Sequence, residues 1–274
     1  MSSFFVSDLD FTLLRSDMSL SDFTKDIWNR ASQKTKLSIA TARSYTGVKE
    51  LLKGLELKEP LILLDGVIIA KPDGKILHLA SINKELGSAI LEVAKKNLDI
   101  EPLIVALSSS GEEFLYPKNP NIYQQELLKT MKNRKRVFAN DKLEAKENNL
   151  KIVFQANKEK AYALEKILKE NFKDNIEIKL SKDPYINCYF ITILNPLGDK
   201  AHALAKLEEI EGVDIKDTTA FGDSHNDLGM FEVAGVKVAV KNAIDELKQK
   251  ADIVLPWSND EDGVARYLKE RLNL

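Results

Sequence analysis

Short apolar runs alternate with segments of helical periodicity at both ends of this chain, and that alternation limits the fold more than any other feature. The apolar runs predict strands at residues 4–6, 37–40, 61–64, 67–70 and 76–79, and again at 218–221, 236–240 and 252–255. Helices are predicted between them at residues 21–32, 46–53, 200–210 and 261–272. Such alternation is typical of βαβ units, so we expect an α/β core built on a mainly parallel sheet.

The middle of the chain alternates longer helical segments with strands across polar loops. Helices are predicted at residues 84–98, 121–132 and 158–172, and strands at 103–107, 151–155, 176–180 and 185–194. We interpret this region as a second α/β domain inserted into the first. The predicted core is therefore discontinuous, residues 1–81 and 195–274, and residues 82–194 form the inserted domain.

The composition excludes several functional classes. Among 274 residues, 40 Lys and Arg oppose 42 Asp and Glu, which lacks the basic excess of a nucleic-acid-binding protein. No apolar run approaches the ~18–20 residues that span a bilayer, so no membrane partner is expected. The N-terminus lacks the basic segment of a signal peptide, and the single cysteine, Cys188, cannot form an internal disulfide. Both features favour a cytoplasmic protein. The basic run at residues 129–136 is interpreted as a solvated helix end or loop, and contact with an anionic group is the alternative.

Two carboxylates, Asp8 and Asp10, stand two residues apart where the first predicted strand ends. If the strand continues, the two side chains point the same way and repel one another unless a cation or a proton lies between them. In open α/β sheets, ligands bind at this edge. The pair alone is compatible with a metal site containing a carboxylate nucleophile and equally with two unrelated acids in a surface loop.

A second acidic cluster favours the metal site. Asp223 and Asp227 follow the predicted strand at residues 218–221, and Gly222 permits a tight turn there. Two such clusters on neighbouring strands would supply three or four carboxylates. Hard oxygen ligands of this kind suit Mg²⁺, which favours phosphate partners. A helix N-cap at Asp223 or Asn226 is an alternative interpretation that is compatible with the metal site.

Four motifs, found in order along the chain, resemble those of the haloacid-dehalogenase-like phosphatases, and in particular the Cof-type subgroup with a large α/β cap. The motifs are Ser7-Asp8-Leu9-Asp10-Phe11-Thr12, Thr41-Ala42-Arg43, Asp199-Lys200-Ala201-His202 and Gly222-Asp223-Ser224-His225-Asn226-Asp227. The segments at residues 240–243 and 259–265 resemble the tail of the same subgroup. The resemblance implies a Rossmann-like core, with residues 82–194 as the cap that selects the substrate.

The resemblance further implies a Mg²⁺-dependent enzyme that hydrolyses a small phosphorylated metabolite, a sugar phosphate or a cofactor phosphate. Asp8 would be the nucleophile and would form an aspartyl-phosphate. Asp10 would protonate the leaving oxygen and then activate the water that splits the intermediate. Mg²⁺ would be held by Asp8, the backbone carbonyl of Asp10 and Asp223, and Asp227 would complete or orient that shell.

Four further residues are expected at the phosphate. Thr41 and Lys200 would hold the phosphoryl oxygens, and Asn226 would orient Asp8 or the phosphoryl group. Arg43 is expected near the substrate, behind the direct ligands or facing the cap. The implied partner is a small molecule, and we expect a monomer or a weakly associated dimer.

The sequence departs from the family pattern at a few positions. Phe11, Ala42 and Ala201 replace glycines, and Asp65 stands where asparagine is usual. Phe11 matters most, because glycine allows backbone geometry that is closed to most other residues. Phe11 must therefore adopt an ordinary conformation or accept strain beside the reaction centre. Thr12 is expected to bond the loop backbone.

Three other functions remain open at this stage. A phosphomutase of the same superfamily would reuse the aspartyl-phosphate. A signalling receiver module also combines an Asp cluster, Mg²⁺, a Thr and a Lys, but it needs only about 120 residues and has no cap. A phosphate-binding protein without catalysis is conceivable because of Phe11, although Asp8, Asp10 and Lys200 are all retained.

Overall fold

The protein is described by a computed structural model that covers residues 4–131, 134–183 and 187–274. The chain divides into two compact units, residues 1–79 with 197–274 and residues 80–196. Parts of three predicted features lie outside the described residues: position 132 of the predicted helix at 121–132, positions 132–133 of the basic run and positions 185–186 of the predicted strand at 185–194. In the described part of the chain, no helix combines the length and apolarity needed to cross a membrane.

The first part of the chain supplies five strands of a mainly parallel sheet and two helices. In chain order its elements are β1 (Phe4–Asp8), α1 (Asp22–Ala31), β2 (Lys36–Ala40), α2 (Tyr45–Val48), β3 (Leu61–Leu63), β4 (Ile68–Ala70) and β5 (Ile76–Leu79). The start of α1 is set by Ser21, whose hydroxyl accepts a hydrogen bond from the amide of Thr24. The β4–β5 hairpin turns at Gly74, as Pro72-Asp73-Gly74 predicts.

Within the residues that the structure describes, the second unit contains a six-stranded sheet and three α-helices. Its elements are α3 (Lys84–Leu98), β6 (Leu103–Ser108), β7 (Gly111–Pro117), α4 (Ile122–Thr130), β8 (Val137–Asn140), β9 (Asn149–Ala156), α5 (Lys158–Phe172), β10 (Glu177–Asp183) and β11 (Cys188–Leu194). The strand order is β10-β11-β9-β6-β7-β8, antiparallel except for the parallel pair of β7 and β8. Apolar side chains of α3, α5, β9 and β11 form its core.

The chain then returns to the first unit and completes its sheet. The last elements are α6 (Lys200–Glu211), β12 (Thr218–Gly222), α7 (Leu228–Val233), β13 (Val236–Ala239), α8 (Asp245–Lys250), β14 (Ile253–Val254) and α9 (Gly263–Leu272). The complete order is β14-β13-β12-β1-β2-β3-β4-β5, with all neighbours parallel as far as β3. The predicted α/β fold with a mainly parallel, Rossmann-like sheet is therefore confirmed.

Some predicted elements differ in extent. The helix predicted at residues 46–53 is the single turn α2, because the chain passes into turns that end at Gly54 with a φ of 97°. Glycines disfavour a helix interior by roughly 1 kcal/mol each. Strands β7 and β8 were not predicted, since β7 opens with charged residues and β8 is a half-exposed edge strand. Their pairing depends on neighbours distant in the sequence, which local periodicity does not reveal.

Candidate active site

Three neighbouring parallel strands end at the same edge of the first unit's sheet. Asp8 is the last residue of β1, Thr41 follows β2, and Asp223 follows β12. Strand β1 lies between the other two, with Asp8 level with Ala40 of β2 and Ser7 level with Phe221 of β12. The topology therefore brings residues more than 200 positions apart in sequence to one edge, which is where ligands bind in open α/β sheets.

A buried lysine links two carboxylates at this edge. The Nζ of Lys200 donates to an oxygen of Asp8 at 2.5 Å and to an oxygen of Asp227 at 2.6 Å. Lys200 is the first residue of α6, directly after the helix cap Asp199, whose carboxylate accepts the amide of His202. None of the three side chains of this group is more than 6% exposed. The helix start thus carries a fixed positive charge into the site.

The pKa values of Lys200 and Asp8 depend on the charges of their neighbours in this group. Burial lowers the pKa of the Lys200 ammonium, but the charges of Asp8 and Asp227 outweigh burial and hold that pKa above its ordinary value. Burial raises the pKa of Asp8 to about 8; Lys200 opposes this rise, and the nearby charge of Asp227 adds to it. Lys200 is therefore charged throughout the neutral range, whereas Asp8 readily holds a proton when no other cation is near.

Asp223 is the third carboxylate of the site. Its oxygen accepts a hydrogen bond from the hydroxyl of Thr12 at 3.0 Å. Burial and the charge of Asp227 raise the pKa of Asp223 to about 6, although the bond from Thr12 lowers it. The prediction that Thr12 bonds the loop backbone is wrong, because its hydroxyl is directed across the site to this carboxylate.

The residues at this edge fit a divalent cation. Single oxygens of Asp8, Asp223 and Asp227 all lie within 4.8 Å of one another. Three ionised carboxylates against the one ammonium of Lys200 leave a local charge of −2, which a hard divalent ion with oxygen ligands would neutralise. The pKa values of Asp8 and Asp223 are raised first by burial and then by the charge of Asp227, and both causes disfavour the ionised carboxylates until a further cation is near.

Asp227 is held in place from several sides. One carboxylate oxygen accepts from Lys200, and the other accepts from the backbone amides of Asp223 at 3.0 Å and Ser224 at 3.2 Å. A Cβ atom at Gly222 would lie 2.6 Å from the Cβ of Asp227, so the strand end must be glycine. This arrangement suits Asp227 to orienting Lys200 and Asp223.

Asp10 is paired with Arg43. The Nε of Arg43 donates to the two oxygens of Asp10 at 2.9 and 2.8 Å, and Nη2 donates to one of them at 2.5 Å. Arg43 also donates its backbone amide to the hydroxyl of Thr41 at 3.1 Å. Arg43 is thus hydrogen-bonded to Asp10, the predicted acid and base of the reaction. The side chain of Asp10 lies outside the cluster formed by Asp8, Asp223 and Asp227.

Asn226 and Asp65 form a further pair beside the site. The Nδ2 of Asn226 lies 3.3 Å from an oxygen of Asp65, and the hydroxyl of Ser224 donates to the Oδ1 of Asn226 at 2.6 Å. The backbone amide of Asp65 donates to the carbonyl of Thr41. Asp65 was not among the predicted site residues, although its departure from the usual asparagine was a signal for it.

Phe11 adopts the strained conformation that the sequence left open. Its φ is 57° and its ψ is 9°, which is the left-handed region. The backbone carbonyl of Phe11 accepts a hydrogen bond from the side chain of Asn242 at 2.8 Å. Phe11 as a whole residue is 43% exposed.

Comparison with known proteins identifies the class. A family model described as haloacid dehalogenase-like hydrolase matches residues 5–268, and the chain belongs to this family. It is 31% identical to a 5-amino-6-(5-phospho-D-ribitylamino)uracil phosphatase of Bacillus subtilis, over 97% of this chain and 96% of that protein. A second phosphatase of that name from the same organism is 29% identical over 97% of this chain and 96% of that protein.

Solved structures agree with the sequence comparison. A crystal structure of a Thermotoga maritima protein superposes with a TM-score of 0.80 at 26% identity, covering 98% of this chain and 97% of that one. The resemblance stated from the four motifs is therefore confirmed. The protein is an enzyme of the haloacid dehalogenase-like family that hydrolyses phosphoric monoesters.

Proposed function

We propose that the enzyme is a Mg²⁺-dependent phosphatase that removes the phosphoryl group of a small metabolite through an aspartyl-phosphate on Asp8. One observation carries this proposal: the buried contact of Asp8 with Lys200, at the strand edge that also bears Asp223 and Asp227. A carboxylate beside a fixed ammonium and two further carboxylates can act as a nucleophile toward phosphorus once the surplus negative charge is neutralised.

The first step transfers the phosphoryl group to the enzyme. A carboxylate oxygen of Asp8 attacks phosphorus, an O–P bond forms, and the bond from phosphorus to the ester oxygen breaks. Asp10 delivers a proton to that oxygen, so the leaving group departs as a neutral alcohol. Lys200 and the hydroxyl of Thr41 hold the phosphoryl oxygens, where charge increases during transfer.

The second step regenerates the enzyme. Asp10, now ionised, removes a proton from a water molecule that attacks the phosphorus of the aspartyl-phosphate. The bond between Asp8 and phosphorus breaks, and inorganic phosphate leaves. The bidentate pair with Arg43 suits this step, because it fixes the direction of the Asp10 oxygens.

A magnesium ion would be held by Asp8, Asp223 and the backbone carbonyl of Asp10, with Asp227 orienting that set. When bound, the ion supplies the positive charge that offsets repulsion between the Asp8 carboxylate and the anionic substrate. The donor set agrees with this choice, since all its groups are hard oxygens, and the three carboxylates of Asp8, Asp223 and Asp227 together with Lys200 carry a summed charge of −2.

The proposed substrate is a small phosphorylated metabolite, a sugar phosphate or a cofactor phosphate. Two relatives that match nearly the whole chain are named as phosphatases of a small molecule that carries a phosphorylated ribityl chain on a uracil ring. We assign selection of the leaving group to the inserted domain, residues 82–194. Substitutions there should change kcat/KM among substrates without changing the dependence on Mg²⁺.

A screen of phosphate release tests the proposal. Purified enzyme is incubated with sugar phosphates, nucleotides and cofactor phosphates, with Mg²⁺ or with excess chelator. We expect catalytic release of phosphate from a subset of small monoesters only with Mg²⁺. Full activity in chelator would remove the metal from the mechanism. Isomerised substrate without released phosphate would identify a mutase.

A further inference from the structure

Phe11 has a backbone conformation that the packing of its own side chain does not explain. It is the only aromatic residue with positive φ in the part of the chain that the structure describes. For a bulky L-residue the left-handed region is unfavourable by roughly 1–2 kcal/mol. A well-packed side chain could offset that strain, but Phe11 is an exposed residue, at 43%, whereas its loop neighbours Leu9 and Leu13 are buried.

The surrounding structure prevents the backbone of Phe11 from relaxing. Its carbonyl accepts from Asn242 at 2.8 Å, and Asn242 in turn accepts the backbone amide of the buried Asn259 at 2.9 Å. On the other side, Thr12 is buried and bonded to Asp223. The loop therefore keeps Phe11 in the left-handed region whatever its side chain, and glycine would fit this position without strain.

The location of Phe11 indicates a function for its strained conformation. Phe11 directly follows Asp10, the group proposed to protonate the leaving oxygen, and it lies three residues after Asp8 at the same edge of the sheet. Strained residues persist where the surrounding structure over-determines them, and they concentrate at functional sites. An exposed aromatic ring held next to the proton donor can contact the part of a substrate that leaves.

We propose that Phe11 is a specificity-determining residue that favours monoesters whose leaving group presents a flat apolar or aromatic face. This inference rests on the proposed function and narrows its substrate class toward ring-bearing phosphates and away from small hydroxyl-rich ones. Aromatic rings pair in offset or edge-to-face geometry, and such contacts change binding by about threefold to tenfold.

The experiment measures binding of two phosphonates that cannot be hydrolysed. Benzylphosphonate carries a ring one carbon from phosphorus, and methylphosphonate has none. Their dissociation constants are measured by calorimetry with Mg²⁺ for the wild type, Phe11→Leu and Phe11→Gly. We expect both variants to reduce the preference for benzylphosphonate, the ratio of the two constants, by about threefold to tenfold.

The matched control is Ile253→Gly, since Ile253 is a comparably exposed apolar residue, at 37%, on the edge strand β14, three strands away from β1 in the same sheet. This variant should keep the wild-type ratio. Melting temperatures add a second readout. Phe11→Gly should melt a few degrees higher than the wild type because backbone strain is released, while Ile253→Gly should melt lower because glycine weakens a strand.

The outcomes separate the two proposals. An unchanged ratio in Phe11→Leu and Phe11→Gly, with both ligands still bound, would overturn the role of Phe11 and leave the phosphatase proposal intact. A lower melting temperature of Phe11→Gly with an unchanged ratio would make Phe11 a structural residue. Binding of both phosphonates without phosphate release from any monoester would instead contradict the proposed hydrolysis, and the ratio would still test Phe11.

Discussion

The ammonium of Lys200 lies 2.5 Å from a carboxylate oxygen of Asp8, and neither residue is more than 4% exposed. This contact joins the first strand of the sheet to the first residue of a helix 192 positions later. Since Lys200 also bonds Asp227, one positive charge serves two buried carboxylates. Its removal should affect both catalysis and stability.

Replacing Lys200 by methionine keeps the volume and removes the charge. We expect Lys200→Met to lower kcat by about 10²–10³, because a donor to the developing charge is lost. Breaking a buried pair also destabilises by about 3–5 kcal/mol. This loss should be larger near pH 8 than near pH 6, since a raised pKa allows Asp8 to accept a proton at the lower pH.

The measurements are phosphate release and chemical denaturation at the two pH values. Lys206→Met is the matched control, because Lys206 lies on the same helix and pairs with Glu209 at the surface. It should change neither quantity appreciably. Wild-type turnover in Lys200→Met would contradict the role assigned to the ammonium.

Asp8→Asn tests the nucleophile. An amide of the same shape cannot attack phosphorus, so kcat should fall by at least about 10³. The fold should survive, because burial disfavours the charged form of Asp8 and a neutral side chain relieves repulsion from Asp227. Phosphate release and the melting temperature are compared with those of Asp22→Asn, an exposed carboxylate on α1. Retention of more than about a tenth of turnover would exclude Asp8 as the nucleophile.

Binding of Mg²⁺ should strengthen as the pH rises. The pKa of Asp8 is raised from 3.8 to about 8 and that of Asp223 from 3.8 to about 6, so the metal-free folded protein binds more protons than the unfolded chain between these values. The contribution of these two groups to stability is therefore largest at the acid end of this window and falls as the pH rises through about 6 and then 8. The ion needs both groups ionised and must displace their protons.

Calorimetric titration with Mg²⁺ between about pH 5 and pH 8, in buffers of different ionisation enthalpy, measures affinity and released protons together. In Asp223→Asn the affinity should be lower and its rise with pH smaller, because one titrating ligand is gone. An affinity that does not change with pH in the wild type would show that the protons and the ion do not compete.

Periodicity predicted the long, regular elements well. The bounds of α3 and α5 match the predicted residues 84–98 and 158–172, since each has an apolar stripe and an asparagine cap. Strand β7 was missed because the charged pair Glu112 and Glu113 hides its pattern, and its pairing with β6 decides its structure. Local sequence carries the helices, whereas a strand depends on a partner that the sequence does not show.

The sequence predicted those site residues whose positions depend only on the backbone of the sheet. Parallel neighbours bring Asp8 and Asp223 together, because the ends of parallel strands meet at one edge. The partners of Arg43 and Thr12 could not be predicted. Each side chain had several polar groups within reach, and the choice depends on torsion angles that only the packed loop determines.

Gly222→Ala tests how firmly Asp227 is held. A Cβ atom at position 222 would lie 2.6 Å from the Cβ of Asp227, and the carboxylate cannot retract while it is bonded to Lys200 and to two backbone amides. We expect a loss of about 1–3 kcal/mol in the free energy of unfolding, typical of overpacking, and a lower kcat because Lys200 is displaced with its partner.

Gly229→Ala is the control, since its Cβ would meet Ala201 at an ordinary 3.4 Å and alanine favours the helix. Denaturant unfolding and phosphate release are measured for both variants. If Gly222→Ala unfolds at the wild-type denaturant concentration and keeps wild-type turnover, these contacts do not hold the side chain of Asp227 in one position.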